Sequence, residues 1–114
     1  MKKVLIIGTL HLKEKMLKYK EETEQNNPGW EVRLPVMDDY AEAKTALDVI
    51  KKNIELIKWA DEVRMFWDGR SVGTCADWQT AVALDKPVIP IYIEGRYTFK
   101  NAMQEHFFGR DYNK

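Results

Sequence analysis

One carboxylate, Asp77, follows a loop with two glycines in the stretch FWDGRSVGTCADWQTAVALDKPVI, residues 66–89. Gly69 and Gly73 allow this loop to turn tightly and to expose its backbone N–H groups. The start of the helix predicted to follow offers further N–H donors and partial positive charge. This arrangement suits a bound phosphate with a carboxylate close behind it. It also suits an ordinary turn, because short glycine-containing loops between strand and helix are common.

The polar residues around this loop have both a chemical and a structural interpretation. Ser71 and Thr74 could contact a ligand, or they could be N-caps of the following helix. Asp68, like Asp38 and Asp39 in an earlier loop, could act as an acid or bind a hydroxyl, although loop aspartates usually form turns. The residue types therefore define a candidate site but leave the role of each member open.

Further candidates lie near the same loop. His11 could bind phosphate or shuttle a proton, although a single loop histidine is more often simply exposed. Trp67 and Trp78 could stack on a base, with core packing as the alternative. Asp77 itself is also favoured by the helix dipole without any catalytic role. The sequence has no metal-ligand spacing, no P-loop and no Ser-His-Asp arrangement, so it predicts no metal, no cofactor and no serine-type nucleophile.

The elements that must position these residues alternate between strand and helix. Strand patterns cover residues 3–8, 30–34, 61–67 and 86–94, and helix patterns cover residues 12–23, 40–59, 72–85 and 99–108. Such alternation calls for a parallel sheet with right-handed crossovers and helices on both faces. We therefore predict an α/β fold, a flavodoxin- or Rossmann-like three-layer sandwich with four to five mainly parallel strands. Pro90 argues against a central position for the fourth strand.

The second predicted helix, residues 40–59, has more apolar positions than a single contact with the core needs. Asp39 and Glu42 resemble a capping box at its start. One helical face consists of Leu47, Ile50, Ile54 and Ile57, and a second apolar stripe consists of Val49, Leu56 and Ala60. The second stripe predicts self-association, as a homodimer or higher homo-oligomer. For the last helix, Thr98 is the predicted N-cap and Gly109 the predicted end.

Composition limits the classes of partner. Eighteen Lys and Arg residues balance eighteen Asp and Glu residues, so net charge gives no reason to expect a nucleic-acid polymer or an anionic membrane. The apolar run near the N terminus is too short for a bilayer span or a signal peptide, which predicts a cytoplasmic protein. No linker divides the 114 residues, so we predict one domain over residues 1–114. A small ligand or another protein remains as partner.

Residues 53–93 resemble the nucleoside 2-deoxyribosyltransferase family, including members that hydrolyse the N-glycosidic bond of nucleoside monophosphates. The shared features are a helix that ends in AD, a strand, a GT loop, an acidic residue four positions after the loop glycine, and A-x-A-x-x-K-P-V-I. IIGTL at residues 6–10 is a weaker match to the opening strand. In that family the acidic residue is a glutamate that attacks the anomeric carbon, and Asp77 stands at its position. A carboxylate there can stabilise or capture an oxocarbenium-like sugar.

The resemblance also implies which residues bind the substrate. Ser71 matches the serine that holds the 5′-phosphate in the monophosphate hydrolases. His11 takes the place of a phosphate-binding arginine, and Asn53 that of a sugar-binding aspartate. The other expected substrate contacts come from the loops after the first three strands, residues 8–11, 35–40 and 68–74, because ligands of open α/β sheets bind outside the carboxyl ends of the strands. They are Gly8, Thr9, Tyr40, Asp68, Gly73 and Thr74.

Two functions follow from these matches and departures. The first is an N-glycosidase or deoxyribosyltransferase that acts on a nucleoside or its monophosphate through Asp77. The second is a nucleotide-binding or sensing module on the same scaffold, because Asp77 is one methylene shorter than glutamate and Asn53 cannot act as a base at neutral pH. A protein-interaction domain with a vestigial pocket is a third class.

Overall fold

Four parallel strands form the sheet in the computed structural model, which describes residues 1–35 and 45–94. The strands are β1 (Lys3–Gly8), β2 (Glu31–Arg33), β3 (Glu62–Trp67) and β4 (Val88–Ile93). Their order across the described sheet is β2-β1-β3-β4, and every neighbouring pair is parallel. β1 and β3 are the central pair, in agreement with the apolar, mostly buried sequences of both strands.

Three α-helices connect these strands. They are α1 (Lys13–Asn26), which follows a short 3-10 helix at Leu10–Leu12, α2 (Ala46–Trp59) and α3 (Val72–Ala83). The predicted α/β architecture is thus confirmed, with strand and helix alternating along the described chain. α1 and α2, the longest helices of the described residues, have 14 residues each, and a bilayer span needs about 20 apolar ones. No helix in this part of the chain is long and apolar enough to cross a membrane.

Each face of the sheet has its own hydrophobic core. On the face covered by α1, the buried residues are Val4, Ile6, Leu12, Met16, Val32, Leu34 and Phe66. On the face covered by α2 and α3, they are Leu5, Ile7, Leu56, Ile57, Ala60, Val63, Met65, Trp67, Cys75, Trp78 and Ala81. Alternate residues of β1 and β3 therefore point into opposite cores. Because the chain leaves β1 on one face and enters β3 from the other, the carboxyl ends of these two strands form the switch point of the sheet.

β4 lies at one edge of the described sheet, as Pro90 predicted. Pro90 is the partner of Met65, whereas Tyr92 is the partner of Phe66, so the register shifts by one residue at Ile91. A bulge next to a proline is the expected irregularity of an edge strand, because proline has no N–H to donate to the ladder.

The start of α2 differs from the prediction. A capping box between Thr45 and Asp48 marks the N terminus of α2: the Asp48 N–H donates to Thr45 Oγ1 at 3.1 Å, and the Thr45 N–H donates to Asp48 Oδ2 at 3.2 Å. Asp39 and Glu42, the predicted cap, lie outside the described residues, as do Tyr40, Thr98 and the last predicted helix.

The apolar stripe on α2 also has a different role from the predicted one. Leu56 and Ala60 are buried in the protein's own core, and Val49 is half-buried. Leu47 and Ile50, which belong to the first predicted apolar face of this helix, are 56% and 55% exposed. The C-terminal half of α2 therefore supplies the core contacts, and its first turns carry the exposed apolar side chains. Self-association stays a prediction, and we now assign it to Leu47 and Ile50.

We expect the double variant Leu47→Lys, Ile50→Lys to be monomeric where the wild-type protein is dimeric. Lysine at both positions adds charge to a surface that a dimer would desolvate. Sedimentation velocity at micromolar concentration measures this, with a monomer mass of 13.4 kDa. Val82→Lys is the control, because Val82 is an exposed apolar residue on α3. A wild-type protein that sediments only as a monomer would contradict the prediction.

An ionic cluster around the buried Glu62 lies at the amino end of the sheet, on the α1 face. The Glu62 carboxylate is 8% exposed and contacts both Lys2 Nζ and Arg64 Nε, the latter at 2.7 Å. Arg64 also donates to the Tyr19 hydroxyl at 2.7 Å and lies 5.4 Å from the centre of the Trp30 ring. Burial alone would raise the pKa of Glu62, but its hydrogen bonds and charge interactions with Lys2 and Arg64 outweigh burial and lower that pKa.

Glu62→Gln should reduce the free energy of unfolding by about 1 to 3 kcal/mol at pH 7, because it removes the carboxylate partner of Lys2 and of the largely buried Arg64. A lowered carboxyl pKa stabilises the folded state above the unfolded pKa, and this stabilisation is lost as pH falls through the folded pKa. The difference between wild type and variant should therefore shrink below pH 4.5. Urea unfolding at pH 7 and pH 3 measures it. Glu31→Gln, in an exposed pair with Arg33, is the control, and an equal loss there would contradict the prediction.

Candidate functional site

The loop after β1 lies directly against the end of β3. Gly8 ends β1 and is closely packed: a Cβ there would collide with Met16 Sδ and lie 2.9 Å from the Phe66 carbonyl oxygen. Glycine at this position is therefore required by packing. The Thr9 N–H donates to the same Phe66 oxygen at 3.2 Å, and the chain then enters the 3-10 helix that presents His11. The His11 side chain is 65% exposed.

The loop after β3 is organised around Asp68. Asp68 Oδ1 accepts hydrogen bonds from the backbone N–H groups of Arg70 and Ser71, both at 2.9 Å, and from Thr9 Oγ1 at 3.2 Å. Gly69 has φ of 81°, a conformation that favours glycine and lets the loop turn back onto this carboxylate. Burial alone would raise the pKa of Asp68, but these hydrogen bonds and the charge of His11 hold it below its ordinary value.

Ser71 is the N-cap of α3. Its Oγ accepts from the Thr74 N–H at 3.3 Å and from Thr74 Oγ1 at 3.1 Å. Its carbonyl oxygen accepts from Trp67 Nε1 at 3.0 Å, which anchors the cap to the core. The structural interpretation of Ser71 is therefore confirmed. A hydroxyl that accepts two hydrogen bonds still has its own O–H to donate, so this role does not exclude contact with a ligand.

Asp77 lies on α3, about 9 Å along the helix axis from Ser71, since six residues separate them at 1.5 Å each. It is half-buried and accepts a hydrogen bond from the side chain of Asn53 on α2. Burial raises the pKa of Asp77 from 3.8 to about 6, and the hydrogen bond from Asn53 opposes this shift. The structure thus joins the two residues assigned to the nucleophile and to sugar binding, although they are 24 positions apart in the sequence.

Gly73 lies one helical turn before Asp77, so the two residues share a face of α3. A Cβ at Gly73 would meet no atom closer than Ser71 Oγ at 3.9 Å, and φ is not in the left-handed region. Neither packing nor backbone conformation requires glycine here, unlike at Gly8 and Gly69. The bare backbone therefore leaves open space at this position of α3.

The sequence-predicted residues fall into two neighbouring groups. The first group lies at the carboxyl ends of β1 and β3 and consists of Gly8, Thr9, His11, Asp68, Ser71 and Thr74. The second group lies between the first turns of α3 and the middle of α2 and consists of Asn53, Gly73 and Asp77. Tyr40, Asp38 and Asp39 lie outside the described residues, so the predicted loop after the second strand is not placed. Thr74 is 2% exposed and bonded to Ser71, which makes it part of the cap rather than a surface contact.

Other candidates near the site have structural roles. Trp67 and Trp78 are 2% and 5% exposed, so core packing is confirmed and base stacking is excluded for the described fold. Burial raises the pKa of the Cys75 thiol, and the charge of Asp68 raises it further, so this thiol is a poor nucleophile. Within residues 1–35 and 45–94, no cluster of His, Cys, Asp and Glu is arranged to hold a metal ion.

A shallow groove of about 290 Å³ lies elsewhere, on the α1 face of the sheet. Its lining includes Lys15, Lys18, Tyr19, Phe66 and Tyr92. None of the sequence-predicted site residues contributes to it, so it belongs to a different part of the surface.

The hydrogen bond between Thr9 and Asp68 was not predicted from the sequence. Each residue directly follows a central strand, and residues at the carboxyl ends of adjacent parallel strands meet at one edge of the sheet. The signal was therefore in the sequence, but it required the adjacency of β1 and β3 to be known first.

No protein-family model matches the chain, and no curated protein matches it either. The resemblance of residues 53–93 to nucleoside 2-deoxyribosyltransferases therefore rests on its motifs alone.

Proposed function

We propose that the protein cleaves the N-glycosidic bond of a nucleoside monophosphate, with Asp77 as the carboxylate that acts on the anomeric carbon. The observation that carries this proposal is the pair formed by Asp77 and Asn53: a half-buried carboxylate that accepts a hydrogen bond from an amide on the neighbouring helix. We propose a cytoplasmic location for this reaction.

The chemistry needs a carboxylate in such surroundings. When the N-glycosidic bond breaks, its electron pair leaves with the base and positive charge develops on the sugar. A partly desolvated carboxylate stabilises that charge more strongly than one in bulk water. An Asp77 oxygen then bonds to the anomeric carbon, and water displaces it to give the free sugar phosphate, or a second base displaces it in a transfer reaction. Asn53 orients Asp77 and can also reach a sugar hydroxyl through its amide.

The phosphate group would bind at the start of α3. Asp68 already occupies the N–H groups of Arg70 and Ser71. The donors that remain are the Ser71 O–H and the N–H groups of Val72 and Gly73, which have no acceptor within a helix that begins at Val72. The exposed His11 side chain, next to Asp68, can add positive charge when it is protonated.

Ser71→Ala should weaken binding of a nucleoside monophosphate by roughly 10- to 100-fold. This is the loss in affinity expected when one hydrogen bond to a charged group is removed. The matching nucleoside has no phosphate to accept that bond, so its affinity should change much less. Isothermal titration calorimetry with both ligands measures the difference. Because loss of the cap also costs about 1 kcal/mol of stability, Ser71→Thr, which keeps the hydroxyl, is the matched control. Equal losses for nucleoside and monophosphate would contradict the phosphate site.

A nucleotide-binding module without turnover is the second candidate. Asn53 favours it, because an amide in place of a carboxylate cannot take up a proton at neutral pH. One experiment separates the candidates: thermal-shift screening of nucleosides, their monophosphates, NAD and cyclic nucleotides, followed by chromatography of each hit for free base. Free base supports the enzyme, whereas a bound and intact nucleotide supports the binding module.

A further inference from the structure

Asp68 fills the crevice between the carboxyl ends of β1 and β3. In open α/β sheets, this crevice at the switch point is the usual place for a ligand. Here the Asp68 side chain is 9% exposed, and its Oδ1 accepts three hydrogen bonds, from Thr9, Arg70 and Ser71. An oxygen with three donors has no capacity left for a substrate hydroxyl.

Thr9 and Asp68 bridge the two central strands. Thr9 Oγ1 donates to Asp68 Oδ1 at 3.2 Å, and the Asp68 N–H approaches the same Oγ1 at 3.4 Å. Thr9 is itself 8% exposed, and its N–H is bonded to the Phe66 carbonyl. These contacts connect the loop after β1 to the loop after β3. The polar atoms of Thr9 and Asp68 thus form hydrogen bonds with other protein groups.

The second oxygen of Asp68 faces His11. Asp68 Oδ2 lies 3.6 Å from His11 Nε2, and the imidazole is otherwise largely exposed. A buried carboxylate behind an exposed imidazole restricts where the ring can lie. The ring, rather than the carboxylate, is therefore presented to solvent at this edge.

We infer that Asp68 is a positioning residue, which locks the two loops together and orients His11, so that a ligand contacts His11 and Ser71 but not Asp68 or Thr9. This replaces the sequence-based assignment of Asp68 and Thr9 as substrate contacts. It also places the ligand on the α2 and α3 side of the switch point, above Asp77, because the crevice itself is filled. The identity of the ligand rests on the proposed function, whereas the role of Asp68 does not.

Backbone amide exchange tests the role of Asp68 without any ligand. In Asp68→Ala, the N–H groups of Arg70 and Ser71 lose their acceptor, and their hydrogen exchange, followed by NMR, should become about 10-fold faster. Asp68→Asn retains an oxygen at the same place and should restore most of the protection. Unchanged exchange at both amides in Asp68→Ala would overturn the inference.

The bridge is tested separately by base release from deoxynucleoside monophosphates. Thr9→Val keeps the shape of the side chain but removes the hydroxyl, so the phosphate-binding loops should shift relative to each other. We expect KM to rise by about 10-fold with kcat within about twofold, since one hydrogen bond is lost and Asp77 is not moved. Thr9→Ser should recover the wild-type KM. If Thr9→Val leaves KM unchanged and Asp68→Asn raises it, Asp68 contacts the ligand and the inference fails. If the wild-type protein releases no base, the proposed function fails, and amide exchange still decides the role of Asp68.

Discussion

Asp77→Asn will bind nucleoside monophosphate at least as tightly as the wild-type protein but will release no measurable base. The amide keeps the shape of the side chain and removes the negative charge that stabilises the cationic transition state, so we expect a loss of at least about 1,000-fold in kcat. Binding is retained, because a carboxylate near the site repels phosphate in the ground state. Chromatography of the free base gives the rate, and titration calorimetry gives the affinity.

The control for this experiment is Asp85→Asn. Asp85 is exposed, follows α3 and has φ of 55°, a conformation that asparagine also adopts. The same chemical change there should leave both rate and affinity unaltered. Undiminished base release by Asp77→Asn would show that Asp77 is not the catalytic carboxylate.

The second large effect concerns stability, and it requires no substrate. Asp77→Asn should be more stable than the wild-type protein at pH 8, by up to about 3 kcal/mol, because a pKa raised from 3.8 to about 6 means that ionised Asp77 destabilises the folded state. Between these two values the folded protein binds the extra proton, so wild-type stability falls as pH rises and levels off above about 6. At pH 4 the two proteins should differ little.

Urea unfolding at a series of pH values between 4 and 8 measures this difference. Subtracting the two curves removes the contributions of groups that both proteins share, Glu62 included. Asp85→Asn should show no such pH-dependent gain. If Asp77→Asn is less stable than the wild-type protein at pH 8, the carboxylate stabilises the fold. The interpretation of Asp77 as a functional residue that lowers stability would then be wrong.

The sequence was sufficient for the architecture, because the fold follows from local patterns. Each pattern depends on the residues of one strand or helix only. Examples are the apolar run of β1, the alternation of apolar and polar residues around Val32, and the helical spacing of α1. Pro90 likewise placed β4 at an edge, since the missing N–H is a local property. Asp77 and Ser71 could be proposed as site residues from the sequence because both belong to one strand, loop and helix unit.

What could not be predicted depends on contacts between distant segments. Leu47 and Ile50 have the same spacing as core residues, and only the packing of α2 shows that its first turns are exposed. Asp68 looked like a ligand residue because sequence cannot show that Thr9, 59 positions away, would take up its carboxylate. The sequence does not distinguish the roles of Gly8, Gly69 and Gly73. The structure shows that packing requires glycine at Gly8 and that the backbone conformation favours it at Gly69, whereas neither applies at Gly73.

The most direct test of the central claim is the pH dependence of base release by the wild-type protein. A carboxylate that attacks or stabilises the sugar must be ionised, and kcat/KM reports the pKa of that group in the free protein. We predict that kcat/KM for a deoxynucleoside monophosphate rises with pH and levels off above about 6, the pKa of Asp77. A value of kcat/KM that falls as pH rises through this range, or no free base from any monophosphate or nucleoside, would contradict the claim that Asp77 cleaves an N-glycosidic bond.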